Sequence, residues 1–301
     1  MKILITGATG LIGARLENLF KQNQIQIHYL TTSKAKIIKS SNYVGFYWNP
    51  NQGYMDVNAL KGVDAIIHLA GATIAKRWTK KYKQEIIESR TITTNLLFET
   101  LKSNPNQVKQ IISASATGLY PDSIDKIYTE DFQNYESSFL STVVQNWEKS
   151  VDQFQLLDLP VCKLRTGIVL SNKGGALPKM MQPIQFGFGA AFGSGNQIQS
   201  WIHIEDLSKM YLFALQNKWT GVYNAVSPNP ISNIYLTQLI ANRLKKPLFL
   251  PNIPRIFMQL MLGKMSSLLL ESQNVDSKKC LNAGFKFEFE TIEKAIKNLI
   301  P

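Results

Sequence analysis

The sequence predicts an α/β fold built on a doubly wound parallel sheet, with a smaller, mostly helical part towards the C-terminus. Three observations carry that prediction. Short apolar runs alternate with segments of helical periodicity through the first half of the chain, the order that puts helices on both faces of a parallel sheet. Residues 65–69 read as one continuous apolar run, as a strand covered on both faces requires. Gly7, Gly10 and Gly13 stand between the first strand and the first helix, where the chain must turn sharply without a Cβ in the way.

Taken in order, residues 2–6 form the first strand, and Leu11, Ile12, Leu16, Leu19 and Phe20 recur at the spacing of one helix face. A second strand covers 25–30 and a third 65–69. A long helix spans 80–101, a strand 110–113, a helix 139–157 and, after Pro160, a strand 161–165. Right-handed crossovers join these strands. Beyond Leu170, Gly187, Gly189, Gly193 and Gly195 interleave with Phe186, Phe188 and Phe192. That stretch reads either as a mobile lid over a pocket or as an ordinary surface loop or hairpin. Residues 221–226 are a strand candidate, followed by a turn at Pro228 to Pro230 and helices punctuated by Pro247, Pro251 and Pro254. The expected division places the dinucleotide domain in 1–170 and 200–226, and a smaller substrate-facing part in 171–199 and 227–301.

A chain of 301 residues, 45% hydrophobic and 18% charged, is composed like a folded globular protein and can bury a sizeable core. The net charge of +12 is spread along the chain. Its densest group, Lys76, Arg77, Lys80, Lys81 and Lys83, runs directly into Glu85 and Glu88, which reads as a solvated helix face rather than a nucleic-acid footprint. Two cysteines, Cys162 and Cys280, provide neither a disulfide framework nor a Cys-based metal site, so no metal is expected and a reducing compartment is. The chain opens directly on a strand and a glycine turn, unlike a secretory leader, and the apolar stretch 256–270 is interrupted by Lys264 and too short to span a bilayer. The expectation is a cytoplasmic monomer or homodimer that acts on a small molecule and binds neither nucleic acid nor membrane.

The glycine spacing carries the chemistry. Glycines in a strand-to-helix turn let the backbone approach a pyrophosphate, and the helix N-terminus supplies free N–H groups and a positive dipole end. At the end of the second strand, an acidic residue would bind a ribose 2′-hydroxyl and repel a 2′-phosphate. Here stand Thr31, Thr32, Ser33 and Lys34, hydroxyls and a cation suited to a phosphate, so the cofactor is predicted to be NADP(H) on a Rossmann-type domain. The competing assignment makes Lys34 a solvated loop residue.

Further segments carry a resemblance: His68-Leu69-Ala70-Gly71 with Arg77-Trp78 and Ser89-Arg90, Ser113-Ala114-Ser115-Ala116, Trp201-Ile202-His203-Ile204 with Asp206, Tyr223-Asn224-Ala225, and Gly284-Phe285-Lys286-Phe287. With the glycine turn, they make the chain similar to the short-chain dehydrogenase/reductase superfamily, extended or atypical branch. Within it the chain resembles the NAD-dependent epimerase-like family, often labelled nucleoside-diphosphate-sugar epimerases, whose members carry a C-terminal domain of unknown function. The resemblance implies that Gly7, Thr9, Gly10, Leu11, Ile12 and Gly13 line the pyrophosphate and that Leu69, Ala70 and Gly71 pass beneath the adenine-side ribose and diphosphate. It places Ser113 to Ser115 near the nicotinamide, with Ser115 bonding the reacting oxygen. The competing assignment for Ser115 is a small residue ending a buried strand.

The superfamily's Tyr-x-x-x-Lys pair, in which a lysine lowers the pKa of a proton-transferring tyrosine, is missing. If Glu148 is the acidic residue that follows that lysine, Leu140 and Val144 occupy the two catalytic positions, and neither transfers a proton. Tyr135 and Lys149 lack the spacing. Tyr120 and His203 are the candidate donors, with His203 able to titrate near neutrality or to be a structural histidine. Arg77 and Arg90 either bind an anionic substrate group or pair with Glu85 and Glu88. Two functions stay open: an NADP-dependent oxidoreductase or epimerase acting on a carbonyl or hydroxyl compound, and a non-catalytic NADP(H)-responsive binding protein.

Overall fold

The computed structural model describes residues 1–301. From the N-terminus, β1 (Lys2–Thr6), α1 (Leu11–Gln22), β2 (Gln26–Thr31), β3 (Tyr43–Asn49), β4 (Tyr54–Met55) and β5 (Ala65–His68) are followed by α2 (Lys80–Ser103) and β6 (Ile111–Ala116). Next come β7 (Ser123–Tyr128), α3 (Phe139–Asp152), β8 (Val161–Thr166), β9 (Ile168–Leu170), α4 (Ala176–Gln185), β10 (Ile198–Gln199), β11 (Trp201–His203), α5 (Ile204–Gln216) and β12 (Gly221–Ala225). The remainder comprises β13 (Ile231–Ser232), α6 (Asn233–Arg243), α7 (Arg255–Leu262), α8 (Ser267–Leu270), β14 (Gln273–Val275), α9 (Lys278–Asn282) and α10 (Ile292–Leu299).

The main sheet has eight strands in the order β12-β8-β6-β5-β1-β2-β3-β4, parallel except where β4 pairs with β3. The order reverses between β1 and β5, so the crevice that a parallel sheet offers at its carboxyl edge lies beside Thr6 and His68, which face each other in register. Alternation along β1 shows how the sheet is covered. Ile3 and Ile5 pack with Leu16 and Phe20 of α1 and with Met210 and Tyr211 of α5. Leu4 joins Leu97 and Phe98 of α2 and Trp147 and Val151 of α3 on the opposite face. A third cluster, including Leu177, Trp201, Leu236, Ile240, Ile292 and Ile296, forms the core of the C-terminal helices. Below it a small sheet runs in the order β13-β10-β14-β7. No helix is long and apolar enough to cross a membrane.

The structure adds elements that periodicity did not suggest. β3, Tyr-Val-Gly-Phe-Tyr-Trp-Asn, pairs in parallel with β2, and its Gly45 is required because a Cβ there would stand 2.5 Å from the ring of Tyr29. β7 is mostly exposed and gains its pairing from β14, far away in sequence. α4 lies in a Gly- and Pro-flanked stretch, with Pro183 inside it, so its short apolar pattern is masked. The predicted helix 139–157 ends at Asp152 and closes as a 3-10 turn over Gln153–Leu157. The glycine-rich stretch is stitched to residue 253: Gly193 N donates to Ile253 O at 2.8 Å and Ile253 N to Ala191 O at 2.8 Å, which favours an anchored loop over a free lid. Phe186 and Phe188 remain exposed at its tip.

Gly13 is the tightest point of the α1 turn. A Cβ there would meet Ala8 Cα and Gly7 O, each at 2.5 Å, and both neighbours are backbone, which cannot rotate away. Gly13→Ala is therefore expected to destabilise the fold by about 1–3 kcal/mol, measured as a lower urea midpoint with unchanged slope. An unaltered midpoint would mean that the turn relaxes freely.

Candidate dinucleotide and substrate site

At the carboxyl edge, Gly7 adopts φ +70°, and a Cβ on it would come within 2.9 Å of the Leu69 carbonyl group. The turn after β1 and the loop after β5 therefore touch backbone to backbone. α1 starts at Gly10 with no side-chain cap and no acidic residue in its first turn. The amides of Leu11, Ile12 and Gly13 find no acceptor in the chain, leaving three N–H groups and the positive end of the helix available to an anion. Thr9 and Gly10 are exposed beside them. At the end of β2, Thr32 and Lys34 are exposed and Ser33 is half-buried. Lys34 Nζ stands 5.2 Å from the centroid of the Tyr47 ring and forms no ion pair.

The loop 69–71 is held by a relay that sequence reasoning missed. Thr94 Oγ1 donates to Arg90 O at 2.6 Å, so it accepts from His68 Nε2 at 3.0 Å. His68 Nδ1 in turn accepts from Thr6 Oγ1 at 2.8 Å. Thr6 Oγ1 then receives the amides of Leu69 at 3.0 Å and Ala70 at 3.1 Å. Burial drives the pKa of His68 down to about 4, which keeps the ring neutral, as an accepting Nδ1 demands. Its only trace in the sequence is a polar residue inside an otherwise apolar strand.

Arg90 lies against this loop. A Cβ on Gly71 would stand 3.1 Å from its Cζ, and the guanidinium sits 4.9 Å from the Trp147 ring centroid. Its Nη1 donates to Ala72 O and Ile86 O, while its Nε is buried without a partner. Burial lowers its pKa to about 10, against a small opposing effect of Tyr82. Arg77 is exposed. Neither arginine pairs with Glu85 or Glu88, so the expected helix-surface pairing is absent.

The serine strand leads into a buried polar centre. Arg165 uses all five of its N–H groups. Nε and Nη2 donate to the two oxygens of Glu148, each at 2.9 Å. Nη1 reaches Tyr120 Oη at 3.1 Å and Glu130 O at 3.4 Å, and Nη2 also reaches Tyr135 Oη at 3.1 Å. Ser115 Oγ donates to Glu148 Oε1 at 2.5 Å, and Tyr120 Oη donates to Asn224 Oδ1 at 2.7 Å. Burial pushes the Glu148 carboxyl up, but Arg165, Ser115 and Lys163 together outweigh it and hold its pKa below the ordinary value. Burial raises the Tyr120 phenol to about 12.

These contacts give the buried candidate residues structural partners. Ser115 and Tyr120 spend their hydroxyl protons on buried partners, which explains their presence without chemistry on a substrate. Ser113 is fully buried in mid-strand, with its hydroxyl on Ala114 O at 2.9 Å, beneath the edge where a nicotinamide ring would lie. His203 caps α5 by accepting the Glu205 amide at Nδ1, 3.1 Å, and stacks on Phe289 with ring centroids 3.8 Å apart. Burial lowers its pKa to about 4, so it does not titrate near neutrality. The neighbouring Asp206 receives the amides of Glu288 and Phe289, making the Trp201–Asp206 segment a clasp for the C-terminal chain.

Leu140 packs toward Gly118, whose Cβ would lie 3.3 Å from Leu140 Cβ. It lines a cavity of about 470 Å3 between the start of α3 and the C-terminal segment, together with Trp78, Phe139, Leu270 and Glu271. Val144 is buried, and Lys149 is exposed on the same helix.

A Rossmann-type sheet with a glycine turn and open helix amides at its switch point defines a dinucleotide-binding protein of the α/β class. The chain belongs to the NAD dependent epimerase/dehydratase family, which it matches over residues 3–225, and residues 253–299 match the domain of unknown function DUF1731. It is 37% identical over 302 residues to an epimerase family protein of Staphylococcus aureus strain MRSA252, covering 99% of this chain and 98% of that one. It is 33% identical over 301 residues to the epimerase family protein YfhF of Bacillus subtilis strain 168, covering 100% and 98%. Among solved structures it is similar to the human epimerase family protein SDR39U1 (isoform 2) with NADPH, with a TM-score of 0.85, 28% identity and coverage of 100% and 99%.

Two predictions follow from the buried polar groups. Glu148→Gln leaves Arg165 without its counter-charge and is expected to lower stability by about 3–5 kcal/mol, read by chemical denaturation. An effect under about 1 kcal/mol would mean that water reaches the guanidinium. All three histidines, His28, His68 and His203, have lowered pKa values. A histidine that stays neutral when folded and protonates when unfolded contributes stability that is full above its ordinary value of 6.5 and declines as pH falls toward about 4. The expected slope is about 1.4 kcal/mol per pH unit for each such histidine. Unfolding titrations across that window should be flatter for His68→Asn than for the natural protein, and equal slopes would show that His68 is not held neutral.

Proposed function

We propose that this protein binds NADP(H) and uses it in hydride chemistry on a small carbonyl or hydroxyl compound. The observation that carries this reading is the cofactor edge: three unpartnered amides at the start of α1, with Thr32, Ser33 and the unpaired Lys34 where an acidic residue would select a free ribose. Two hydroxyls and an ammonium complement a 2′-phosphate dianion through charge-assisted bonds. The human relative solved with NADPH supports the choice of the phosphorylated cofactor. When bound, the nicotinamide supplies or accepts the hydride. This chain supplies the amides for the diphosphate, the loop 69–71 beneath it, and the cavity beside Leu140 for the substrate. Arg90 stands against Gly71 of the β5 loop, and it and the exposed Arg77 serve anionic groups there.

A second reading, a non-catalytic NADP(H)-responsive protein, is favoured by Leu140 and Val144 at the catalytic positions and by the bonded hydroxyls of Ser115 and Tyr120. Incubation with NADPH and a panel of aldehydes and ketones separates the two. Cofactor oxidation supports the first, and tight binding without turnover on any member supports the second. For cofactor choice, Lys34→Ala is expected to weaken NADPH by about tenfold, as the loss of one charge-assisted bond does, while NADH changes little. Isothermal titration decides this, and equal weakening of both cofactors would remove the phosphate role of Lys34.

A further inference from the structure

The cavity of about 470 Å3 beside Leu140 has walls from two distant stretches of chain. Trp78, Phe139 and Leu140 form one; Arg255, Lys264, Leu270 and Glu271 belong to the other. The Trp78 and Phe139 rings meet edge to face with centroids 4.8 Å apart at 64°, and with the two leucines they make an apolar wall suited to a flat body.

The cavity's own lining carries two cations, Arg255 and Lys264, against one carboxyl, Glu271. Lys83 Nζ lies 4.4 Å from the Phe139 ring centroid, and burial together with the nearby charge of Lys264 lowers its pKa. None of Lys83, Arg255 and Lys264 forms an ion pair. Lys83 and Lys264 repel each other, and a bound anion relieves that repulsion. The cavity's one carboxyl, Glu271, has no side-chain partner either. Burial, reinforced by Asp122 and Glu136 and opposed by Arg255, raises its pKa, so its neutral form, a hydrogen-bond donor, is favoured more than for an exposed glutamate.

We propose that this cavity binds a small organic acid with a flat apolar body, an oxo or hydroxy acid of the size of phenylpyruvate. The acid's carboxylate lies between Arg255 and Lys264, and its carbonyl or hydroxyl oxygen faces Glu271. The body fills the slot made by Trp78, Phe139, Leu140 and Leu270. The inference deepens the proposed function and rests on it, since it names the class of compound held beside the nicotinamide.

Calorimetric titration of the full chain, loaded with oxidised NADP so that no reduction occurs, tests the assignment at neutral pH and low salt. Phenylpyruvate is expected to saturate one site, and the uncharged ketone 1-phenylpropan-2-one to bind at least about tenfold more weakly for want of the charged contact. The double variant Arg255→Ala with Lys264→Ala, altered only at exposed positions, should lose about tenfold in phenylpyruvate affinity while keeping its affinity for the cofactor. Leu140→Trp, which fills the slot, should abolish phenylpyruvate binding with cofactor affinity retained as proof of folding. Failure of phenylpyruvate to bind at millimolar concentration, equal affinity in the double variant, or exclusion of phenylpyruvate by UDP-glucose would each overturn the proposal. A separate titration of the unloaded protein keeps the two readings apart: absence of cofactor binding strikes the proposed function, whereas phenylpyruvate binding still decides the cavity.

Discussion

The contact on which the carboxyl edge depends is the backbone-to-backbone approach of Gly7 to Leu69 and Ala70, pinned by the hydroxyl of Thr6. That hydroxyl accepts two amides from the loop after β5 and donates to His68. It can do so only while the imidazole is neutral, because a protonated ring would offer a second N–H where an acceptor is needed. Complete burial of His68 enforces that state. The amides of Leu69 and Ala70 are thereby used up, whereas those at the start of α1 stay open.

Two arginines show how burial and bonding separate scaffold from site. Arg165 has every donor satisfied and a carboxylate held by two bonds, the condition under which a buried ion pair rigidifies its surroundings. Tyr120, Tyr135 and Ser115 are bound to that centre, and their hydroxyls serve the joint between β6, β8 and α3. Arg90 has a buried Nε without a partner and no carboxylate near it, beside the loop assigned to the diphosphate. Buried polar groups are ordinarily satisfied, and the two arginines differ in this respect.

Apolar residues at the start of α3 decide how that helix faces the C-terminal part of the chain. With Leu140 at the start of the helix and Val144 one turn on, the wall facing the C-terminal segment is largely apolar, and the charged groups that line that cavity are Arg255, Lys264 and Glu271. Any chemistry performed there draws its charged partners from the C-terminal part of the chain, the segment matched to a domain of unknown function.

Much of the fold, with the glycine turn and the open start of α1, was legible in the sequence because these features are local. The strand-turn-helix unit with Gly7, Gly10 and Gly13, the apolar run of β5 and the absence of an acidic residue after β2 each lie within a few residues, where backbone sterics and periodicity decide the outcome. β7 and α4 were hidden because their partners, β14 and the C-terminal helices, lie far along the chain. The same reason governs the polar residues. Whether Ser115, Tyr120 and His203 act on a substrate or on the scaffold depends on groups 33, 104 and 2 residues away, and only the nearest of these is visible to local reasoning. The sequence by itself determined the glycine turn and its uncapped helix start; the tertiary structure decided which side chains are free, because a hydrogen bond between distant residues exists only once the sheet has brought them together.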